Sequence, residues 1–429
     1  LVVLNYKMLE YNNKLSEIID HCISNAKKKG ATDVDVGIVK STAETVSFRN
    51  KKLDESERSE NIGLSLTAYI NKKKNSVLSS NLKTDNLEKL IERCVEAAKI
   101  TPEDEFNSLP DEELFFKNSD ELDLFDETHL ENNQKIDYLK EAEEVAFKNK
   151  EIVNTNGSSF SESKTEVVLG NSKGFKNGYK TSNFTAYCEV VSKKNGSMER
   201  DYEYTSKRHF EDLLKPSELG SNAAKFAIRK LKPQKINSGK FDIIFDKRIS
   251  KNFLNYFSSA ITGSSIYRGT SFLKEKLNKK IFSDDINIVD RADIKRGNGS
   301  KYFDNEGVKI QNLSLVNKGI LNNYLIDTYY GKKLNITSNG RSGGTTNLYF
   351  ENGKKDLKDL MNSSKKIFYV TETIGHGTNI VTGDYSLGAG GMMIENGEFV
   401  YPISEVTIAG NLNEMFMKTI LANDLQFNY

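Results

Sequence analysis

The sequence contains only three cysteines, and this scarcity limits the redox and metal chemistry open to the chain. Cys22, Cys94 and Cys188 are widely spaced, and no CxxC pair occurs. An odd number of isolated cysteines argues against a disulfide framework and against a cysteine-based zinc site. The pattern is typical of a protein in a reducing compartment, so we expect a cytoplasmic location.

An excess of charge of either sign is also absent. The chain has 61 basic and 60 acidic residues and a formal net charge of +1, so it has no general attraction for nucleic acid or an anionic membrane. No apolar run approaches the roughly 20 residues that a membrane span requires. Residues 1–4 are apolar but too few for the core of a signal peptide, and Met8 is a candidate translation start. We expect a soluble protein with no membrane or nucleic-acid partner.

A chain of 429 residues exceeds one ordinary domain, so two or three domains are expected. Residues 1–100 are predicted to form a helix, an antiparallel meander and a second helix, because apolar residues at helical spacing flank short alternating runs. Residues 130–234 show the same order. We therefore predict an α+β fold, with two helix and sheet units followed by a β-rich C-terminal domain at 235–429.

An acidic segment at 101–129 connects the two predicted units. Between residues 101 and 127 it holds eleven carboxylates against the single cation Lys117, together with two of the five prolines of the chain. One interpretation is an acidic docking surface, and the other is a solvated connector. We favour the connector, because runs of like charge usually remain hydrated.

Glycine is concentrated near the C-terminus. Residues 375–398 hold seven of the 29 glycines, interleaved with apolar and β-branched residues, and Gly397 lies at the turn of a predicted hairpin. Glycine at this density permits close approach of another backbone, so the segment is predicted to bind an extended peptide by strand addition. The residues around Ser386 do not form a GxSxG elbow, and no GxGxxG nucleotide motif is present.

Several motifs resemble the TldD/PmbA family, and specifically its PmbA (TldE) branch. They are AITGSSIYR at 260–268, FDNEGV at 303–308, YLIDTYYG at 324–331 and the glycine-rich block that runs to Leu412. The resemblance implies a heterodimeric intracellular peptidase whose TldD partner supplies a zinc-binding HExxxH helix and a further cysteine ligand. Two imidazoles on neighbouring turns hold the metal there, and the glutamate takes a proton from metal-bound water.

This chain does not contain the HExxxH motif. Its histidines are His21, His129, His209 and His376. No two of them are close in sequence, and residues 259–264 align with the metal helix so that Ser259 and Ser264 replace the imidazoles. Because a hydroxyl cannot substitute for imidazole in holding zinc, the resemblance implies no catalytic residue, no metal and no other cofactor in this chain. Zinc is expected in a TldD-type partner.

The resemblance and the glycine density together predict a surface that faces peptide or partner. Its residues are Ser259, Ser264, Tyr267, Arg268, His376, Asn379, Thr382, Gly383, Asp384, Ser386 and Gly388. Tyr267 and Arg268 either reach a partner's cleft or a substrate carboxylate, for which a guanidinium is well suited, or have no such role.

Two further motifs have competing interpretations. His376 is either a substrate contact or weak metal ligand, or a turn residue whose ring packs or hydrogen-bonds locally, and we favour the turn residue. Asp304 and Glu306 either bind a cation as paired carboxylates or belong to a local turn. We favour the turn, in which Asp304 accepts backbone N–H groups and Gly307 supplies the unusual dihedral angle.

The leading functional hypothesis is a non-catalytic PmbA-type subunit that pairs with a TldD-type subunit and holds extended peptide or unfolded polypeptide. A rival hypothesis is a self-associating peptide-binding scaffold without hydrolytic function, which forms a homodimer when isolated. Action on DNA topology, suggested by the family's label as a modulator of gyrase, is disfavoured by the near-neutral charge.

Overall fold

The computed structural model describes residues 13–425, so residues 1–4 and Met8 lie outside the described part of the chain. The helices are α1 (Asn13–Lys28), α2 (Thr84–Ile100), α3 (Asn132–Ala146), α4 (Pro216–Arg229), α5 (Lys247–Ala260), α6 (Gly263–Arg268), α7 (Thr328–Leu334), α8 (Leu357–Met361) and α9 (Leu412–Met417). The strands are β1 (Asp33–Arg49), β2 (Lys52–Ile70), β3 (Lys73–Ser79), β4 (Ile152–Asn171), β5 (Lys176–Lys194), β6 (Ser197–Lys207), β7 (Asp242–Phe245), β8 (Ile288–Arg291), β9 (Leu313–Asn317), β10 (Ile320–Leu321), β11 (Asn347–Phe350), β12 (Lys366–Ile374), β13 (Asp384–Glu395) and β14 (Glu398–Asn411). The predicted α+β fold is confirmed.

The strands of the two predicted N-terminal units form one continuous antiparallel sheet. Its order is β3-β2-β1-β4-β5-β6, so β1 of the first unit pairs with β4 of the second. The pairing sets Ile38 opposite Val168, and the ladder runs from Asp35 to Phe48. The two units, which repeat the same order of helices and strands, therefore share one six-stranded sheet. Pairing of β1 with β4 covers one edge of each half of this sheet.

All four helices of the N-terminal half pack on one face of this sheet. α1 and α2 cover Val36, Ile38 and Leu66, while α3 and α4 cover Phe160 and Phe184. Side chains of a strand alternate between faces, so the opposite face of β1 carries Ser41, Ala43, Thr45 and Ser47. These residues are half-buried, and this second face is called the open face below.

The C-terminal domain contains two four-stranded sheets around α5. One sheet has the order β10-β9-β8-β11 and the other the order β14-β13-β12-β7, in which β7 is parallel to β12. Leu254, Phe257 and Ala260 of α5 enter a core shared by both sheets. The predicted hairpin at Gly397 is confirmed, since Asn396 and Gly397 take φ values of 50° and 83° between β13 and β14.

The acidic segment is more than the solvated connector favoured from the sequence. Its side chains Phe115 and Phe116 are buried, and Phe115 forms an isolated bridge with Val308 of the C-terminal domain. Phe116 N–H donates to Gly307 O at 2.9 Å. The interpretation as a hydrated run was wrong for these residues, because apolar side chains between the carboxylates provide enough buried area to fix the segment.

No helix within residues 13–425 is long and apolar enough to cross a membrane. The three cysteines are free and buried. Burial raises the pKa of the Cys22 thiol to about 12 and that of the Cys188 thiol to about 11, so both thiols stay protonated at neutral pH.

The glycines of β13 serve packing within the chain. β13 lies between β12 and β14, and both of its edges are paired. A Cβ built on Gly391 would lie 2.0 Å from Tyr369 O, and one on Gly377, in the loop that precedes β13, would lie 1.7 Å from Ser386 O. The prediction that a peptide adds to this strand is therefore wrong, because the close approach that these glycines permit is made by the chain's own backbone.

Carboxylates meet where β1 contacts the C-terminal domain. Burial, with Glu306 and Asp304 nearby, raises the pKa of Asp35 to about 7. Burial and the charge of Glu306 likewise raise the pKa of Asp304 to about 7. The folded state therefore binds more protons than the unfolded state between about pH 4 and pH 7, and folding loses stability as the pH rises through this window.

The glycine packing predicts that alanine destabilises the fold at one glycine of β13 and not at another. Gly391→Ala should lower the free energy of unfolding by about 1–3 kcal/mol, because the new Cβ displaces the backbone of β12. Gly388→Ala is the matched control, since its Cβ would lie 3.4 Å from Ile374 O, an ordinary contact. Urea unfolding measures both variants, and equal stabilities would contradict this account of β13.

The raised pKa values of these carboxylates predict that stability depends on pH and that one substitution reduces this dependence. Asp35→Asn should raise the free energy of unfolding by about 1–2 kcal/mol at pH 8, where the parent bears the full cost of an ionised carboxylate among its neighbours; the partial exposure of Asp35 limits the gain. The gain should disappear towards pH 4. Urea titrations across this range provide the measurement, and Asp85→Asn, at an exposed position on α2, controls for the loss of one charge. A pH-independent gain would contradict the prediction.

Candidate peptide- and partner-facing surface

The segment aligned with the metal helix is broken into two helices. α5 ends at Ala260, and Thr262 is the N-cap of α6, with its hydroxyl accepting Ser265 N–H at 3.2 Å. Between the helices, Leu325 N–H donates to Ile261 O at 2.9 Å. Thr262 favours this break, because a β-branched residue with a capping hydroxyl competes with continuation of the helix.

Ser259 and Ser264 consequently lie on different helices. The placement of both serines on successive turns of one helix was wrong. Ser259 is exposed at the end of α5, and Ser264 is half-buried in the first turn of α6. The junction is held by hydroxyl contacts, with Ser265 donating to Ser259 O at 2.9 Å and Ser264 Oγ lying 3.1 Å from Thr262 Oγ1.

Exposed aromatic and cationic side chains follow at the end of α6, where it packs against α7. Tyr267 and Arg268 are both exposed, and Arg268 Nη2 donates to the Tyr330 hydroxyl at 2.8 Å. The Lys333 ammonium lies 4.9 Å from the ring centroid of Tyr267 and 4.6 Å from that of Tyr329. Such cation–π contacts hold the Lys333 ammonium beside the rings of Tyr267 and Tyr329.

The acidic connector completes this aromatic and cationic surface. The Tyr329 hydroxyl donates to Asp104 at 2.5 Å, and Lys333 Nζ lies 3.6 Å from the same carboxylate. The bond from Tyr329 lowers the pKa of Asp104. Lys333 also lies 5.4 Å from the Phe106 ring centroid. Sequence reasoning missed these residues, because Asp104 and Phe106 are more than two hundred positions from α7 and only the fold brings them together.

The loop between β12 and β13 contains most of the remaining predicted residues. His376 is exposed, so its ring is not packed, which was one of the two local roles that the favoured interpretation allowed. Asn379 O accepts Gly383 N–H at 2.8 Å, and Thr382 donates to Asp384 at 2.6 Å. The bonds from Thr382 and Asn411 lower the pKa of Asp384. The polar groups of Asn379, Thr382 and Asp384 bond within the loop and to Asn411, so they hold its shape, while His376 and Val381 are exposed.

The predicted residues divide between two sides of the sheet. Phe272 N–H donates to Ile380 O at 2.9 Å, which places the loop beside the segment that follows α6. Ser386 and Gly388 alternate with the buried Tyr385 and Leu387, which face α5, and so lie on the other face of β13. The structure brings the loop to the end of α6, whereas Ser386 and Gly388 belong to a separate, outward surface.

The Asp304 turn agrees with the interpretation favoured from the sequence. Asp304 Oδ1 accepts Glu306 N–H at 2.9 Å and Val308 N–H at 3.0 Å, and Gly307 has φ +77°. Glu306 accepts the Thr328 hydroxyl at 2.7 Å. The local turn is confirmed, because the lone pairs that a cation would require are directed at N–H and O–H donors.

Within residues 13–425, one group of candidate metal ligands converges, and it is the place to ask whether this chain could hold a metal ion. Ligand atoms of Glu44, His129 and Glu162 all lie within 4.8 Å of one another. The ammonium of the fully buried Lys135 is 2.7 Å from Glu44 and 3.2 Å from Glu162. These residues do not fit a zinc ion, because the Lys135 ammonium already contacts both carboxylates, and Arg58 and Lys164 pair with Glu44 and Glu162 as well.

His21 and His209 have local partners, and neither lies in a set of ligands that could hold zinc. His21 Nε2 lies 2.9 Å from Glu88, and His209 Nε2 lies 2.9 Å from Asp123 O. The protonated thiols of Cys22 and Cys188 are poor ligands, since zinc binds the thiolate. The described residues thus offer no tetrahedral set of nitrogen and sulfur ligands.

Comparison with known proteins gives a consistent family assignment. Models of the PmbA/TldA metallopeptidase match three parts of the chain: domain 1 at 34–98, the central domain at 125–231 and the C-terminal domain at 238–429. The metalloprotease PmbA homologue of Haemophilus influenzae is 34% identical over 95% of this chain and 91% of its own length. Metalloprotease PmbA of Escherichia coli O157:H7 is 31% identical over 99% and 96%.

Solved structures agree with this assignment. A Bacteroides thetaiotaomicron protein named as a modulator of DNA gyrase superposes with a TM-score of 0.91 at 29% identity, covering 97% of this chain and 96% of that chain. TldE from Thermococcus kodakarensis shares the fold, with a TM-score of 0.79 at 19% identity over 95% and 94%. With homologous sequence along nearly its whole length and matching models for all three domains, this chain belongs to the PmbA/TldD family.

Proposed function

We propose that this chain is a PmbA/TldE-type subunit of a cytoplasmic zinc metallopeptidase. It binds extended peptide and completes the chamber of a TldD-type partner that carries HExxxH, and it has no zinc site of its own. The observation that carries the proposal is the Lys135 ammonium between Glu44 and Glu162, the position where ligand atoms converge. A subunit of a metallopeptidase family without fitting ligands contributes by binding and positioning.

The surface at the end of α6 supports a role in binding. Arg268 is exposed and bonded to the Tyr330 hydroxyl, so its side chain is already partly ordered and a ligand would pay less entropy to bind its other N–H groups. Tyr267 is 47% exposed, which leaves an aromatic ring available for contact. Aromatic residues and arginine together are the residue types that contribute most to protein interfaces.

The division of labour between two subunits is tested by purifying the chain alone and together with a TldD-type protein. We expect the isolated chain to carry far less than one zinc per chain and to hydrolyse no peptide, since it lacks a fitting ligand set. Addition of the partner should give a complex with zinc and peptidase activity. Elemental analysis and cleavage of an unfolded polypeptide measure both quantities.

Three outcomes of this experiment separate the proposals. Stoichiometric zinc and hydrolysis in the homogeneous isolated chain would overturn the non-catalytic assignment. Failure to form a complex at micromolar concentration, with peptide still bound by a homodimer, would support a self-associating scaffold. A partner variant with its HExxxH glutamate replaced by glutamine should bind this chain and remain inactive, which shows that the chemistry belongs to the partner.

A single substitution tests the surface at the end of α6. Arg268→Ala should weaken binding of the partner or of peptide by about tenfold, because it removes an exposed, oriented guanidinium. Its melting temperature should match that of the parent, since the side chain is exposed. Arg93→Ala, at an exposed position on α2, is the matched control. Calorimetric titration measures the binding, and equal affinities for the two variants would remove Arg268 from the interface.

A further inference from the structure

One edge of the six-stranded sheet is open over most of its length. β3 pairs only with residues 64–70 of β2, from Leu64 opposite Ser79 to Ile70 opposite Lys73. Within the described residues 13–425, no strand pairs with the outer side of residues 52–63. The outward N–H and C=O groups of this stretch therefore form a row that another extended chain can bind.

The opposite edge of the same sheet is closed by side chains. On β6, Arg248 donates to Tyr202 O at 3.2 Å, and Lys230 donates to Arg200 O at 3.4 Å. Asn298 donates to Ser206 O at 2.8 Å. The open edge is consequently a feature of the β2 and β3 side of this sheet and not of its β6 side.

Charges along the open edge differ between the two faces of β2. On the helix-bearing face, Arg58 pairs with Glu44 and with Glu60, each at 3.0 Å. On the open face, Glu55 and Glu57 are exposed, and no ion pair involves them among the described residues. Their neighbours on β1 are the hydroxyl residues Ser47 and Thr45, which bring no compensating cation.

Regular geometry favours one part of this edge. The register of β1 and β2 shifts between Ser47 and Phe48, so the irregularity lies at the hairpin end of the ladder. From Glu55 to Gly63 the pairing is continuous. A strand added here would place its side chains about 5 Å from those of β2, so cationic residues at alternate positions would lie opposite Glu55 and Glu57.

We propose that the outer edge of β2 at residues 55–63 is a β-augmentation site for an extended polypeptide with lysine or arginine at alternate positions. The backbone row supplies hydrogen bonds, and the two unpaired carboxylates select the charge pattern. The site lies on the N-terminal sheet and requires neither zinc nor a TldD-type partner. It therefore stands independently of the function proposed above.

The probe is an acetylated, amidated nine-residue peptide in which threonine and lysine alternate. Binding to the full chain is measured by fluorescence anisotropy at low ionic strength, and hydrogen exchange reports the protection of residues 52–63. Two further peptides carry N-methyl groups on the odd or on the even residues. Only one of these two should lose binding, because alternate N–H groups of an added strand face the edge.

Charge recognition is tested with matched double variants. Glu55→Gln with Glu57→Gln should weaken binding roughly fivefold, because two cross-strand ion pairs are lost. Glu141→Gln with Glu144→Gln makes the same change of net charge at exposed positions on α3, and its affinity should equal that of the parent. A peptide with glutamate in place of lysine should bind neither protein measurably.

Several results would overturn the proposal. Equal binding of both methylated peptides would exclude backbone pairing at a strand edge. If the double variant on α3 weakened peptide binding equally, the charge effect would be general electrostatic attraction and not recognition by Glu55 and Glu57. Absence of protection at residues 52–63 would show that no peptide binds this edge. Protection of these residues by self-association of the chain without peptide would assign the edge to a second copy.

Discussion

The arrangement of the two halves depends on one cluster of aromatic rings that joins three separate segments of the chain. The cluster comprises Phe115, Phe116, Phe175, Tyr179, Tyr302 and Phe303. The ring centroid of Phe303, in the C-terminal domain, lies 5.3 Å from that of Phe175 and 5.2 Å from that of Tyr179. Both are edge-to-face contacts with the N-terminal half. Each such pair contributes about 0.5–1.5 kcal/mol beyond burial, so the cluster fixes the connector, the sheet and the C-terminal domain together. Gly307 is needed beside it, because a Cβ there would lie 2.4 Å from the Phe175 ring.

Lys135 illustrates how the same ligands can build structure in place of a metal site. Its ammonium is fully buried, and it is stabilised by two carboxylates from different strands, Glu44 of β1 and Glu162 of β4. The bond from Lys135 lowers the pKa of Glu44. Loss of one partner from a buried ion pair typically costs about 3–5 kcal/mol, because the remaining charge is left without compensation. The group therefore ties α3 to the centre of the sheet, and its convergence does not indicate metal chemistry.

The candidate site was only partly predictable from the sequence. The motifs marked Tyr267 and Arg268 as residues that face a peptide or partner, and both are exposed. The turn at Asp304 followed from an aspartate three residues before a glycine. The glycine density was misinterpreted, because close approach to a ligand and close approach to the chain's own strand leave the same signal in a sequence. Only the backbone contacts of Gly391 distinguish the two. The break between α5 and α6 was missed as well, because the bond from Leu325 that stabilises it is formed in the fold.

The amino-acid sequence by itself determined the α+β class, the helices and strands of strong periodicity, the family and the lack of an HExxxH motif, since these depend on local pattern and residue identity. The tertiary structure decided how the pieces combine. It joined two predicted units into one sheet, buried Phe115 and Phe116 of an acidic segment, and closed one sheet edge while leaving the edge of β2 open. These outcomes depend on contacts between residues far apart in the chain, whose free energy is gained only when the segments pack together.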